Sequence, residues 1–330
     1  MISAKKLDLD DSRDRKRDNL LVRTTTTMQL RTRVQGGGTP RLERWGVDSE
    51  YGTLRDVLIG PVDHFAWQGG NAVAQRAERV GLHFDFKVAR RQYDEMLDAY
   101  RRAGVKVHFL AADPDLPYQL FARDSSVMTP WGAVIMQMQK PYRRGEYAAC
   151  LKFYLAEGIP IYDLITAGNI EGGDFMVLEP GIAACGFSGE RSIEPAVRQL
   201  KGWFEAEGWE MHTYAFDPHF LHLDVQMGMI AEGLAVACVE AVEPEMIEWL
   251  RSKRIRVIPI PYSDAMQLGT NVVALGDGRV LVPASSKNLI AACRAEGLTV
   301  YDPDVSMIGS GGGAVHCMCQ ALKRDPAARR

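Results

Sequence analysis

Asp174-Phe-Met-Val-Leu-Glu-Pro-Gly-Ile-Ala-Ala-Cys-Gly-Phe187 reads as two short apolar strands on either side of a Pro-Gly turn. The segment after it places Val197, Leu200, Trp203 and Phe204 at helical spacing, then closes on Gly208 before a third apolar run, Trp209 to Tyr214. A glycine there suits the left-handed residue that ends many helices. The unit is therefore strand, strand, helix, strand. It recurs. Hairpins of the same form open at Asp124, Asp224 and Asn271, so the four openings are 50, 50 and 47 residues apart. Helix-to-strand junctions recur at Gly104, Gly158 and Gly297, and a further copy, WLRSKRIRVIPI, carries Arg254 where the glycine would fall.

A fifth hairpin is split between the ends, pairing 53–61 (TLRDVLIGP) with 314–322 (AVHCMCQAL). Joining strands from both ends removes exposed sheet edges, so a single closed domain of five pseudo-repeats is expected. Residues 1–40 carry alternating charges and a triple glycine and read as a disordered tail. The folded domain is expected over 41–322, with 323–330 a polar end.

Composition narrows the function classes. A 330-residue chain with 46% apolar and 25% charged residues has ample core, and a net charge of −3 offers no bulk attraction to nucleic acid. No apolar run is long enough to span a bilayer. Six cysteines, not spaced as a disulfide framework, fit reduced thiols in a cytoplasmic protein. Homo-oligomerisation is left open.

The entrances of the first strands carry Arg123-Asp124, Glu171-Gly-Gly-Asp174, His222-Leu-Asp224, Asn271 and His316-Cys317. Equivalent positions of a repeat arranged about a centre converge, so these side chains are expected to meet. A cysteine with a histidine makes a nucleophile and base, and a carboxylate orients the histidine. Two further carboxylates need a cation between them. A metal suits that mixture of hard carboxylates and soft thiol poorly. A guanidinium suits it well, because carboxylates match its planar N–H groups in bidentate fashion and its carbon is open to thiolate attack.

Four motifs, FARDSS (121–126), NIEGGD (169–174), FLHLD (220–224) and GGGAVHCM (311–318), resemble those of the guanidino-group-modifying superfamily. It includes arginine deiminases, dimethylarginine hydrolases, agmatine deiminases and amidinotransferases. The resemblance spans roughly residues 45–322 and implies an α/β fold, a five-bladed pseudosymmetric α/β-propeller (pentein) of ββαβ repeats. It further implies Cys317 as nucleophile, His222 as general acid and base, and Glu171 as its orienting carboxylate. Asp124 and Asp224 would grip the guanidinium, Gly172 and Gly173 would let backbone pass close to substrate, and Asp174 would be structural. The implied reaction hydrolyses a C–N bond of arginine or an arginine-like small molecule through a thiouronium intermediate, with no cofactor and no metal. GFSGERS (186–192) resembles the segment whose arginine binds the substrate's α-carboxylate, here Arg191, and Arg143 and Arg144 of KPYRRGEY fall where a second such arginine is often found.

The chain also departs from its models. Tyr118 stands where arginine deiminases carry asparagine, and the Arg-Asp and His-x-Asp carboxylates are not those of dimethylarginine hydrolases. Three other readings compete. One is an amidinotransferase, although those tend to carry Asp-Ala-Ala-Asp where this chain has Glu171-Gly-Gly-Asp174. The second is a non-catalytic binding protein on the same scaffold. The third is a zinc site of His222, His316, Cys317 and Cys319, in which a strand's alternation would bring both thiols to one face.

Overall fold

A computed structural model describes residues 30–69 and 71–328. Its fifteen strands among the described residues are β1 (Leu54–Ile59), β2 (Lys106–Phe109), β3 (Ser126–Thr129), β4 (Gly132–Ile135), β5 (Ile161–Leu164), β6 (Phe175–Glu179), β7 (Ile182–Phe187), β8 (Glu210–Ala215), β9 (Met227–Ala231), β10 (Leu234–Cys238), β11 (Arg256–Ile260), β12 (Val273–Gly276), β13 (Arg279–Leu281), β14 (Thr299–Tyr301) and β15 (Gln320–Arg324). They form five three-stranded sheets of one design, β15-β1-β2, β3-β4-β5, β6-β7-β8, β9-β10-β11 and β12-β13-β14. In each, the central strand pairs antiparallel with the first and parallel with the third. A parallel return needs a crossover, and helices Phe86–Arg102, Glu146–Glu157, Glu194–Ala206, Pro244–Ser252 and Lys287–Ala295 supply it. This is a mixed α/β fold of five small sheets.

Local chemistry explains the repeat. Gly104, Gly158, Gly208 and Gly297 all adopt φ between 65° and 81° where a helix turns into a strand. Arg254, at the same junction of the odd copy, adopts φ 60° despite its side chain. Backbone geometry is thus kept even where the sequence signal is lost. The positions read at helical spacing, Tyr93, Met96, Leu97 and Tyr100, and Val197, Leu200, Trp203 and Phe204, are all buried. They belong to apolar clusters lying between successive sheets; Trp131 of the second unit packs edge-on at 5.3 Å against Phe204 and Trp209 of the third.

Two expected boundaries shift. The split hairpin forms, with Leu58 opposite Gln320 and Val57 opposite Ala321, but residues 314–319 make a turn and the strand starts only at Gln320. It continues through the expected polar end to Arg324, whose buried guanidinium donates to the carbonyls of Gly52 and Ala274. Likewise residues 32–40 are not tail. Thr32 N and Arg33 N donate to the carbonyls of Ile161 and Tyr162, Arg33 pairs with Asp163 at 2.6 Å, and Thr39 is held by Glu207. Polar side chains with partners far along the chain do the work that apolar ones do elsewhere. The rest of the expected tail, residues 1–29, lies outside the described residues.

The turns that enter the first strands are bonded one to the next. Gly172 N donates to Asp124 O, Leu223 N to Asp174 Oδ1, Thr270 Oγ1 to Asp224 O, Cys317 N to Asn271 Oδ1, and Arg123 N to Cys317 O. The fifth link returns to the first unit.

Candidate active site

Those five turns carry the chemistry. Cys317 lies on the turn before β15, almost fully buried. Its Sγ accepts a hydrogen bond from Asn271 Nδ2 at 3.2 Å and donates toward Asp224 Oδ2 at 3.4 Å. Asp224 Oδ2 also meets His316 Nδ1 at 2.9 Å, while Asp224 Oδ1 is buried with no partner among the described residues. Opposite this arm, His222 Nε2 meets Glu171 Oε2 at 2.8 Å. Its Nδ1 is buried without a hydrogen bond among the described residues, 3.9 Å from Asp124 Oδ1. Glu171 also accepts from Arg191 Nη1 at 3.1 Å and from Gln139 N at 3.1 Å. Asp124 accepts from Arg143 Nη1 at 2.8 Å and from Gly173 N at 3.1 Å.

The electrostatics follow from burial and these neighbours. Burial pushes the Cys317 thiol up, and the carboxylates of Asp224 and Asp124 add to it, holding it well above the ordinary thiol range. Burial alone would lower His222, but the carboxylates of Asp124, Asp174 and Glu171 outweigh it and raise the imidazole to about 10. Burial opposes a charge on Glu171, yet its hydrogen bond to His222 and the Arg191 guanidinium bring it down to about 2. The resting site is therefore a thiol, an imidazolium and a carboxylate. Asp174, raised to about 7 by burial, accepts from Ser192 Oγ at 2.5 Å and Leu223 N at 2.9 Å and so holds the His222 turn in place.

Most of the residues expected from the sequence are brought together: Cys317, His222, Glu171, Asp124, Asp224 and Arg191 are all buried in this cluster. Arg144 is not. It is exposed, and its neighbour Arg143 is the one turned inward, gripping Glu146 with two bonds of 2.8 Å as well as Asp124. The short 3-10 turn Pro141–Arg143 sets that phase, because successive side chains there diverge by about a third of a turn. Gly172 is also misplaced by the sequence reading. A Cβ on it would lie 2.0 Å from the Arg123 carbonyl, so its closeness is to backbone, whereas Gly173 borders His222. The reading weighed Arg143 and Arg144 alike, and it missed Glu146 and the role of Asn271. Of these, Asn271 was signalled by its repeat position.

Asp124, Glu171 and His222 lie close enough together to suggest a cation site. Arg143 and Arg191 already bring guanidinium charge to its two carboxylates, and His222 Nε2 is committed to Glu171. The residues present do not fit a resident metal. The His222, His316, Cys317 and Cys319 zinc set fails on geometry. Both cysteines lie on the turn, where strand alternation does not apply, and Cys319 lies against Tyr100 and Arg324.

Residues 73–324 match the family described as N,N dimethylarginine dimethylhydrolase, eukaryotic. The chain belongs to that family. By sequence, the uncharacterised protein YkgA of Bacillus subtilis (strain 168) is 29% identical over 282 residues, covering 84% of this chain and 94% of its own. The N(G),N(G)-dimethylarginine dimethylaminohydrolase of Mycobacterium tuberculosis is 25% identical over 237 residues, covering 71% and 75%. Among solved structures, an amidinotransferase of saxitoxin biosynthesis from Microseira wollei superposes with a TM-score of 0.71 at 16% identity, over 87% of this chain and 99% of that one. At that identity it speaks for the fold alone. The expected membership of the guanidino-modifying superfamily is borne out. Among the described residues no helix is long and apolar enough to cross a membrane.

Proposed function

We propose that the chain hydrolyses a guanidino C–N bond of arginine or an arginine-like molecule, on a five-bladed α/β-propeller, with Cys317 as nucleophile. The ring of five turn-to-turn hydrogen bonds supports the propeller. The observation that carries the chemistry is a pair of buried, unpartnered atoms, Asp224 Oδ1 and His222 Nδ1, beside a buried thiol. Unpaired buried polar atoms are costly, and a guanidinium satisfies an acceptor while bringing positive charge between Asp124 and Asp224. That charge opposes the carboxylate field that keeps the thiol protonated, so substrate entry favours loss of the Cys317 proton to solvent.

The steps then balance. The thiolate forms an S–C bond to the guanidinium carbon, and His222 gives the Nδ1 proton to the departing nitrogen as the C–N bond breaks. Water adds to the thiouronium carbon, returning a proton to His222. Collapse expels the thiolate and leaves a urea, which sheds its extra proton to water. Gly173 leaves the His222 ring uncrowded, since a Cβ there would lie 2.7 Å from Nδ1. Arg191, with a buried and unpaired Nε, is the residue proposed for the far end of the substrate.

The test is a panel of arginine, asymmetric dimethylarginine, agmatine and guanidino acids, each with and without an acceptor amine. Release of ammonia or dimethylamine with a urea product is expected. Amidino transfer to the acceptor in place of a urea would make the chain a transferase, and no turnover with binding intact would make it a binding protein.

A further inference from the structure

The geometry points to Asn271 as a positioning residue that fixes the Cys317 thiol and favours its thiolate; this rests on the reading of Cys317 as nucleophile. Asn271 is fully buried. Its Oδ1 accepts from the backbone N–H of His316 at 2.9 Å and of Cys317 at 3.3 Å, and its Nδ2 donates to Cys317 Sγ at 3.2 Å. One amide thus holds the backbone of the nucleophile and its reacting atom together. A donor to sulfur stabilises the anion more than the neutral thiol, since hydrogen bonds to charged groups are the stronger ones.

The repeat shows why the residue is an amide. Asp124, Asp174, Asp224 and Asn271 occupy equivalent entrances to β3, β6, β9 and β12. Three of the four are aspartates, which only accept when ionised. At the fourth the neighbour is a thiol that must become an anion, already facing Asp224 Oδ2 at 3.4 Å. A second carboxylate in that place would repel the thiolate and leave it no side-chain donor. The turn carrying Asn271 is held in an unusual conformation. Leu268 adopts φ 63°, Asn271 N donates to Leu268 O at 3.1 Å, and Thr270 Oγ1 fastens the Asp224 carbonyl at 3.0 Å. Left-handed backbone at a bulky residue persists where its surroundings enforce it, and here it sets Asn271 and Asp224 on either side of the sulfur.

The test is Asn271→Asp, which retains acceptors for both backbone N–H groups and replaces the donor to sulfur with a carboxylate. Iodoacetamide alkylation of the peptide containing Cys317, followed by mass spectrometry across pH, reads the thiolate without requiring turnover. Alkylation is expected to be about ten- to hundredfold slower near pH 8, with the profile moved upward by about 1 to 2 in pH. An Asn271→Asp profile that matches wild type, despite the lost donor and the added charge, overturns the inference. Should that variant not fold, Asn271→Ala in the same measurement must also move the profile upward, and an unmoved profile overturns the inference equally. Cys317→Ala separates the two levels. If it retains turnover, the nucleophile reading fails; if it is inactive while the Asn271 profiles are unmoved, only this inference fails.

Discussion

Gly173→Ala adds one methyl group beside His222, the proposed general acid. A Cβ at this position lies 2.7 Å from His222 Nδ1, 2.9 Å from its Cγ and 3.1 Å from Asp124 Oδ1. Ordinary contact begins near 3.4 Å, so the ring must retreat by about 0.7 Å. It cannot retreat freely, because Nε2 is held by Glu171 at 2.8 Å on the far side. The backbone of Gly173 lies outside the left-handed region, so alanine brings crowding without strain of φ. Misplacing a reacting group by about 1 Å can cost on the order of a hundredfold, and overpacking costs about 1–3 kcal/mol. We expect kcat to fall about 10- to 100-fold, with a folded protein and a modest loss of Tm. Gly172→Ala is the contrast. Its Cβ meets the Arg123 carbonyl at 2.0 Å, a backbone atom, so folding itself should suffer. Steady-state kinetics on the best guanidine and thermal melts of both variants separate the two cases. A Gly173→Ala enzyme with wild-type kcat would refute the placement of His222 Nδ1 at the reacting centre.

Cys317→Ala should abolish turnover while Cys319→Ala keeps most of it, since the second thiol faces Tyr100; mass spectrometry of quenched wild-type enzyme should find the adduct on the Cys317 peptide, and an adduct on Cys319 would reverse the assignment. His222, raised to about 10, contributes stability in full below its unfolded value near 6.5 and loses it as pH rises through about 10, whereas Glu171, lowered to about 2, contributes above its ordinary value of 4.5 and loses it as pH falls through about 2. The Tm difference between wild type and His222→Gln should therefore narrow from pH 6.5 to 10, and a widening gap would contradict the raised imidazolium. Arg144→Ala should leave kcat/KM within about twofold, as surface changes do, while Arg143→Ala leaves Glu146 and Asp124 buried without their cation and should cost about 3–5 kcal/mol of stability; equal effects in denaturant titrations would show the phase of the turn to be misread.

The repeat was legible because its signals are local. Glycines at helix ends and hairpin spacing are written where they act, and the left-handed Arg254 shows the frame holding even without its glycine. Contacts across the chain were not legible. Nothing near Arg33 announces Asp163, about 130 residues away, so residues 32–40 read as tail although they pack on β5. Arg143 and Arg144 differ by one step of a 3-10 turn, and composition carries no phase. The convergence of Cys317, His222 and the carboxylates could be read because the repeat itself carries phase: equivalent positions must meet.

The same reasoning explains why a symmetric frame yields an asymmetric site. Each entrance turn offers one slot, and the links between slots run through backbone atoms at Asp124, Asp224 and Cys317 but through the slot side chain itself at Asp174 and Asn271. The slots hold Asp124, Asp174, Asp224, Asn271 and Cys317. Asp174 is consumed by structure, since Ser192 and Leu223 take both its oxygens. Asp124 likewise has both oxygens bonded, one by Arg143 and one by Gly173 N. Asp224 alone keeps a buried oxygen without a partner among the described residues, and it stands beside the thiol. A cationic donor entering the cluster is therefore drawn to the carboxylate next to the proposed nucleophile. Attraction and attack are directed to one place by which slots the protein has already satisfied.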